Sequence, residues 1–257
     1  MEGKKIILSL KNLGLFYKRK TGLLRHDKFW ALQDVSFDIC HGETLGIIGK
    51  NGVGKSTVLR LIAGIMDPDL GEVIRHEPLR ASLLALQVGF IPHLTGRQNA
   101  ILGGLFLGLC RSDVEALLPR IVEFSELGDF IDQPVRSYSM GMKARLGFSV
   151  ALYADPDILL VDEVLGVGDV DFRKKSADAL REISRSNKTV VIVSHNNEVI
   201  RSLCDRVVWI ENGHTQGVGP TDVVLEQYQQ AHAAVIVSGS QQPGKAALEA
   251  GSMRSQA

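Results

Sequence analysis

The spacing of apolar residues along the chain predicts alternating strands and helices. Alternating or continuous apolar runs indicate strands in KIILSLKNLGLFY, FWALQDVSFDI, ETLGIIG, DPDILLVDE and KTVVIVSH. Helical spacing marks KSTVLRLIAGIM and DFRKKSADALREISRS, and the Asn-Gly pair in DRVVWIENGHTQGVG indicates a hairpin. Because strands and helices alternate, the pattern predicts an α/β fold with a mostly parallel sheet.

A further helical region is predicted at about 95–125. Thr95 with Gln98, and Ser112 with Glu115, have the spacing of a capping box, in which a hydroxyl and a carboxamide or carboxylate satisfy the first N–H groups of a helix. Pro119 predicts a kink, since proline removes a hydrogen-bond donor inside a helix.

The last part of the chain differs in composition. From about residue 231 it consists largely of Ala, Gly, Ser and Gln with no aromatic residue, which is typical of a mobile tail. We therefore expect a domain at 1–230, with a helical lobe at about 90–150, and a flexible tail at 231–257.

Charge, cysteine usage and hydropathy exclude several classes of protein. Lys+Arg and Asp+Glu number 29 each, so we expect no nucleic-acid partner from the charge balance. Three distant cysteines argue against a disulfide framework, and the N-terminus lacks the apolar segment of a signal peptide. The longest apolar run, near 99–110, has about half of the ~20 residues that a membrane helix needs, so any membrane role is expected to be peripheral.

A phosphate loop is predicted at residues 49–56, GKNGVGKS, which match G-x-x-x-x-G-K-[ST] between a strand and a helix. Its glycines let backbone N–H groups surround phosphate oxygens, and the helix that follows adds its positive end. Lys55 would reach the β- and γ-phosphates, Ser56 would bind Mg²⁺, and Thr57 would donate to the α-phosphate. The predicted ATP contacts in this region are Gly49, Asn51, Gly52, Gly54, Lys55, Ser56 and Thr57.

Two acids follow the apolar run ILLV. Asp162 at the end of this strand is placed to hold Mg²⁺, and Glu163 beside it would polarise the water that attacks the γ-phosphate. A small-molecule kinase needs no such base, so the pair favours ATP hydrolysis. His195 follows VVIVS in the same way and would bond the γ-phosphate at the same sheet edge.

The order of these motifs resembles that of ABC-type ATPases, the nucleotide-binding subunits of transporters. The resemblance covers about residues 6–228 and rests on the phosphate loop, SYSMGMKAR before a helix, ILLVDE, GD at 168–169 and VSH. It implies the ABC ATPase fold, a P-loop NTPase core with N-terminal antiparallel strands and a helical lobe. It also implies that two subunits form a symmetric homodimer with ATP sandwiched between them.

Within this family, residues 138–142, YSMGM, match the signature turn, usually L-S-G-G-Q. The resemblance implies that Ser139 and Gly141 contact ATP on the opposite subunit and that Asp169 couples the two sites. Ser139 can cap the helix, and Gly141 lets its N–H approach a phosphate without a side chain in the way. Met140 replaces a small residue, so its effect on the ATP contact stays open.

Two further family positions are matched on weaker grounds. Tyr17 is the best candidate for the aromatic residue that stacks on adenine, with Trp30 as the alternative. Gln87 in LALQVGF is the candidate switch-loop glutamine, which would contact both the nucleotide and Mg²⁺.

YSMGMKARLGFSVAL, GFIPHLTGRQNA and FWALQDVSF resemble the branch of the family that exports O-antigen, capsule and teichoic acid. This resemblance implies an ATPase at the cytoplasmic face of the inner membrane, working with a separate permease dimer on lipid-linked polysaccharide. The basic segment 18–28 is predicted to be a loop near the membrane and the pyrophosphate of that glycan. The alternatives are an ATPase of another ABC transporter, a non-transport ABC ATPase and a P-loop kinase.

Overall fold

The computed structural model describes residues 4–20, 26–84, 89–162 and 169–239. The strands in this part of the chain are β1 (Ile6–Lys20), β2 (His26–Cys40), β3 (Thr44–Ile48), β4 (Leu70–Arg75), β5 (Ala81–Leu84), β6 (Ile158–Asp162), β7 (Thr189–Val193), β8 (Arg206–Glu211) and β9 (His214–Pro220). The helices are α1 (Lys55–Ile62), α2 (Gly96–Phe106), α3 (Arg111–Ser125), α4 (Met140–Tyr153), α5 (Val170–Arg185), α6 (Asn197–Leu203) and α7 (Thr221–Gly239).

The described strands form one sheet in the order β4-β1-β2-β9-β8-β3-β7-β6-β5. From β8 to β5 the neighbouring strands are parallel, whereas β1 pairs antiparallel with β2 and β4. The predicted α/β class with a mostly parallel sheet and N-terminal antiparallel strands is confirmed. Every residue of β3 and β7 is buried, as expected for parallel strands covered on both faces.

The segment at 18–28 was predicted to be a loop, and this prediction was wrong at both ends. β1 continues to Lys20 and β2 begins at His26, with Lys18 opposite Lys28 and Arg19 opposite Asp27. Cross-strand pairing thus extends the hairpin into the basic segment. The amine of Lys28 lies 4.1 Å from the centre of the Phe16 ring, a cation–π contact that favours its place opposite Lys18. Residues 21–25 lie outside the described part.

The helical lobe contains α2, α3 and α4. The capping box of Thr95 and Gln98 is confirmed at the start of α2. The prediction of a second capping box, at Ser112 and Glu115, was wrong because α3 begins after Cys110. Glu115 pairs with Arg111 at 2.7 Å instead of reaching back to a backbone N–H. Pro119 lies inside α3.

The C-terminal helix α7 packs on β8, where Trp209 contacts Tyr228 and His232. It continues to Gly239, past the domain boundary predicted at 230, while residues 240–257 lie outside the description. No helix among the described residues combines the length and apolar character needed to cross a bilayer.

Candidate functional site

Three neighbouring parallel strands, β3, β7 and β6, end at the same edge of the sheet. Ile47 of β3 lies opposite Val193 of β7, which in turn lies opposite Asp162 of β6. Because β3 leads into the phosphate loop and β7 leads into His195, this alignment brings three predicted segments to one crevice. His195 is exposed there.

Two glycines of the phosphate loop are required by close backbone contacts. Gly54 has φ 100°, and a Cβ atom there would lie 2.8 Å from the carbonyl oxygen of Ala31. A Cβ at Gly49 would lie 2.2 Å from the carbonyl oxygen of Ile210. The loop therefore packs directly on the backbone of β2 and β8. Gly52, in contrast, has open space where its Cβ would stand, so the loop presents bare backbone there.

Lys55 lies inside the phosphate loop. Its side chain is only 5 % exposed, and its amine donates to the carbonyl oxygens of Gly49, at 2.8 Å, and Lys50, at 3.0 Å. Gly54 at the start of α1 provides no side-chain cap, so the N–H groups of the first turn are available to an anion. A buried ammonium and a helix N-terminus together make this loop complementary to phosphate.

A cleft of about 340 Å³ adjoins the loop and has one aromatic wall. Its lining comprises Tyr17, Phe29, Ala31, Asn51, Gly52, Gly54, Lys55, Ser56 and Thr57. The Tyr17 hydroxyl lies 3.2 Å from the Thr57 hydroxyl, which fixes the ring beside α1. The predicted contacts in the loop, apart from Gly49, thus share one cleft with Tyr17.

Trp30, the alternative to Tyr17, packs edge-on against Phe16 with ring centres 5.2 Å apart. Consecutive strand residues face opposite sides, so the neighbour of Trp30, Phe29, faces the cleft. Phe29 pairs directly with Tyr17 and is 54 % exposed. Sequence reasoning missed Phe29, although strand alternation would have shown that only one of residues 29 and 30 can face the nucleotide.

Ser56 and Asp162 are the described residues suited to a magnesium ion. Ser56 lines the cleft next to Lys55, and Asp162 ends β6 at the same sheet edge, with both side chains partly buried. Hydroxyl and carboxylate oxygens are hard donors, and Mg²⁺ in nucleotide sites takes few protein ligands because phosphates and water supply the rest. This donor set fits the ion.

The family model for ABC transporters matches residues 32–166, the part of the chain that carries the phosphate loop, the helical lobe and β6. The chain belongs to the ABC transporter family. The predicted resemblance is confirmed, and the protein is an ATP-hydrolysing cassette rather than a P-loop kinase.

Relatives with names include the O-antigen export system ATP-binding protein RfbB of Klebsiella pneumoniae, 47% identical over 87% of this chain and 91% of that protein. The teichoic acids export ATP-binding protein TagH of Listeria monocytogenes serotype 4b is 43% identical over 84% of this chain and 63% of that protein. Among solved structures, the dimeric post-hydrolysis state of the ATP-binding cassette MJ0796 bound to ADP and Pi has a TM-score of 0.70 at 25% identity, covering 84% of this chain and 99% of that one.

The signature turn of this ABC cassette begins α4. Ser139 caps the helix by accepting from the Met142 N–H at 3.2 Å. A Cβ at Gly141 would meet only the Ser139 hydroxyl, at 3.8 Å. Met142 is half-buried against the core of the helical lobe, whereas Met140 is 61 % exposed. The two methionines therefore have different surroundings, and the Met140 side chain lies at the surface of the chain.

Asp169 begins α5 and contacts α4. Its carboxylate accepts from the Phe172 N–H at 2.9 Å and forms an ion pair with Arg145 of α4. The Phe172 N–H, and secondarily Arg145, lower the pKa of this carboxyl below its usual range. Arg145 also pairs with Glu126 at 3.0 Å, and Glu126 pairs with Lys175 at 2.6 Å.

This network ties the signature helix to the segment that follows β6. Arg145 was not predicted to take part, and no motif identifies it, because the contact depends on how α4 and α5 pack. Two predicted site residues, Gln87 and Glu163, lie outside the described residues.

Proposed function

We propose that this protein is the ATP-hydrolysing subunit of an exporter for lipid-linked polysaccharide, acting as a homodimer with a separate membrane permease. It would lie at the cytoplasmic face of the cell membrane. The observation that carries the proposal is similarity, over more than four fifths of the chain, to cassettes named for O-antigen export and for teichoic acid export. Both names refer to the export of a polymer, O-antigen in one case and teichoic acids in the other.

ATP binding is assigned to the chain's own phosphate loop. The buried Lys55 amine is positioned to neutralise the β- and γ-phosphates, and the first turn of α1 donates N–H groups to them. Tyr17 and Phe29 offer ring faces to the base on the other side of the cleft. Bound Mg²⁺, held by Ser56 and Asp162, would offset the negative charge of the phosphate oxygens.

Hydrolysis is assigned to Glu163 as the base that orients the attacking water, with His195 bonding the γ-phosphate. Both follow strands that end at the crevice, since Asp162 directly precedes Glu163. The switch-loop glutamine Gln87 would report the γ-phosphate to the helical lobe. These roles rest on the sequence matches.

Dimer closure is assigned to the signature turn. Ser139 and Gly141 of one protomer would contact the γ-phosphate of ATP bound to the partner's phosphate loop, and Asp169 would lie near the shared interface. Loss of the γ-phosphate removes those contacts and reopens the dimer. The solved dimer of a related cassette with ADP and Pi supports a two-chain arrangement.

The permease is proposed to dock in a groove between the core and the helical lobe. This groove has a volume of about 530 Å³, and its lining includes Ile65, Phe90, Phe106 and Leu107. Phe106 is 71 % exposed and Ile65 is also exposed, so the groove has an apolar rim suited to a short amphipathic helix.

The tip of the β1–β2 hairpin is proposed to act close to the membrane. Lys18, Arg19 and Lys28 are exposed on its described part, a charge pattern suited to anionic head groups or a pyrophosphate. Reversal of these charges should abolish export while ATPase activity in detergent stays near wild type. Unchanged export would remove this role.

The export proposal is tested by co-purification with the candidate permease and by deletion of the gene. We expect the permease to bind the wild-type cassette, and the deletion to remove one surface glycan while its lipid-linked form accumulates inside. Complementation with a Glu163→Gln variant should restore permease binding but not export. A deletion strain with an unchanged surface glycan profile would contradict the proposal.

A further inference from the structure

Tyr138 directly precedes Ser139 and is buried in the helical lobe, with 5 % of its surface exposed. Its hydroxyl donates to the carbonyl oxygen of Phe130 at 2.5 Å, while the N–H of Gly96 donates to the Gln133 carbonyl at 3.2 Å. A Cβ at Gly96 would lie only 2.1 Å from that oxygen. The start of α2 can therefore hold the phenol only because residue 96 is glycine.

The surrounding backbone extends this contact into a ladder between two segments. The N–H of Val135 donates to the Leu94 carbonyl at 2.9 Å, and the N–H of Arg136 donates to the Pro92 carbonyl at 2.8 Å. Segment 133–138, which leads into the signature turn, is thereby tied to segment 92–96, which follows the groove residue Phe90.

Asn99 fixes the second segment from inside. Its side chain is 1 % exposed, accepts from the Ile91 N–H at 2.7 Å, and donates to the carbonyl oxygens of Leu94 and Thr95. All of these partners are backbone groups, so loop 91–95 has a defined shape against which Tyr138 is held.

We propose that Tyr138 is a positioning residue, whose hydroxyl between Gly96 and Phe130 sets Ser139 at the height and angle needed to meet the partner's ATP. A leucine at 138 would fill part of the same space but would leave the Phe130 carbonyl without the hydroxyl that donates to it. The inference rests on the proposed function, since it takes Ser139 to contact ATP across the dimer.

The first test is Tyr138→Phe, which removes only the hydroxyl, with Tyr153→Phe at the end of α4 as the matched control. We expect Tyr138→Phe to lower kcat and to weaken ATP-dependent dimerisation of a Glu163→Gln parent by about fivefold, the effect of one neutral hydrogen bond. The Kd of the isolated protomer for ATP should stay unchanged, because the phosphate loop lies on the sheet core. Tyr153→Phe should leave all three quantities unchanged.

The second test is rescue. Gly96→Ala should reduce dimerisation more than Tyr138→Phe does, because its methyl group collides with the hydroxyl. The double variant Gly96→Ala/Tyr138→Phe should recover part of the dimerisation lost in Gly96→Ala. Removing the hydroxyl relieves the 2.1 Å contact, but the added Cβ still lies 3.0 Å from the Ile131 carbonyl oxygen and 3.1 Å from the ring carbon Cζ. A double variant that dimerises no better than Gly96→Ala would overturn the proposed contact.

The outcomes separate the two proposals. If the Glu163→Gln parent does not dimerise with ATP, the proposed function fails. If the parent dimerises and Tyr138→Phe dimerises equally well, or loses ATP binding by the protomer in the same proportion, the positioning role is overturned.

Discussion

Two helices of this protein, α1 and α4, start at turns that are proposed to bind ATP. The two turns differ in how much of an ATP site each one forms. α1 starts inside the phosphate loop, where Lys55 is buried and bonded to the carbonyls of Gly49 and Lys50. α4 starts at an exposed turn, where Ser139 caps its own helix and Met140 lies at the surface. The phosphate loop packs against β2 and β8, whereas the signature turn lies at the surface of the chain.

The difference shows what one chain can do alone. The phosphate loop has its charge, donors and base-facing rings in a single cleft, so one protomer should bind ATP. The signature turn has a capped helix end and a bare glycine, and none of its residues lines the cleft of the phosphate loop. The two turns of one chain therefore do not face one common cleft, as expected if the proposed site is shared between two protomers.

The largest expected effect comes from a substitution in the phosphate loop. Lys55→Ala removes the buried ammonium and should weaken ATP binding by the protomer at least tenfold, on the order of the effect of one charge-assisted hydrogen bond, and reduce turnover to background. Arg60→Ala, on the exposed side of α1, is the matched control and should bind as the wild type does. Calorimetry with ATP measures both, and equal affinities would show that Lys55 is not part of the site.

A smaller effect, confined to the dimer, is expected for a substitution in the signature turn. Gly141→Asp places an acid in the first turn of α4, which has none, so the helix should gain a few tenths of a kcal/mol or more. ATP binding by the protomer should stay unchanged, while ATP-dependent dimerisation and turnover fall about tenfold or more because the carboxylate repels the γ-phosphate.

Gly141→Ala is the control for size, since its methyl group meets only Ser139. It should bind ATP as the wild-type protomer does and lose less turnover than Gly141→Asp, because its methyl group adds bulk beside the N–H but no charge. Thermal melting, ATP binding by the protomer and size-exclusion chromatography with ATP separate these effects. If the Gly141→Asp protomer fails to bind ATP, the signature turn contacts ATP in its own chain, which contradicts the proposed contact with the partner's ATP.

The smallest effect on ATP binding is expected for the two aromatic residues that line the cleft, Tyr17 and Phe29. Tyr17→Phe loses the contact with Thr57 but keeps the ring, so the Kd for ATP should change by about twofold or less. Tyr17→Ala and Phe29→Ala should each weaken binding about fivefold to tenfold, the range for one stacked base. A Phe29→Ala variant with wild-type affinity would leave Tyr17 as the one stacking ring.

The sequence predicted the parts of the site that depend on local order. Asp162 ends a parallel strand, and Gly49 and His195 each come soon after one. The parallel pairing of these strands then brings the three residues to one edge of the sheet. The α/β class, the Asn-Gly hairpin and the Thr95 cap follow from similarly local patterns.

The remaining features depend on packing between distant segments. The contact of Tyr138 with Gly96 and the ion pair of Arg145 with Asp169 join residues with no shared motif. The Ser112 cap was mispredicted because Arg111 competes for Glu115. In that case two local patterns, a capping box and an i,i+4 ion pair, compete for one carboxylate, and spacing alone does not rank them.

Mixed dimers test the central claim most directly, because each composite site should take Lys55 from one protomer and Gly141 from the other. Lys55→Ala and Gly141→Asp should each be nearly inactive alone. Mixed at equal concentration, they should recover about one quarter of wild-type turnover, since about half of the dimers then hold one intact site of two. A mixture no more active than the mean of the two variants would contradict an ATP site shared between protomers.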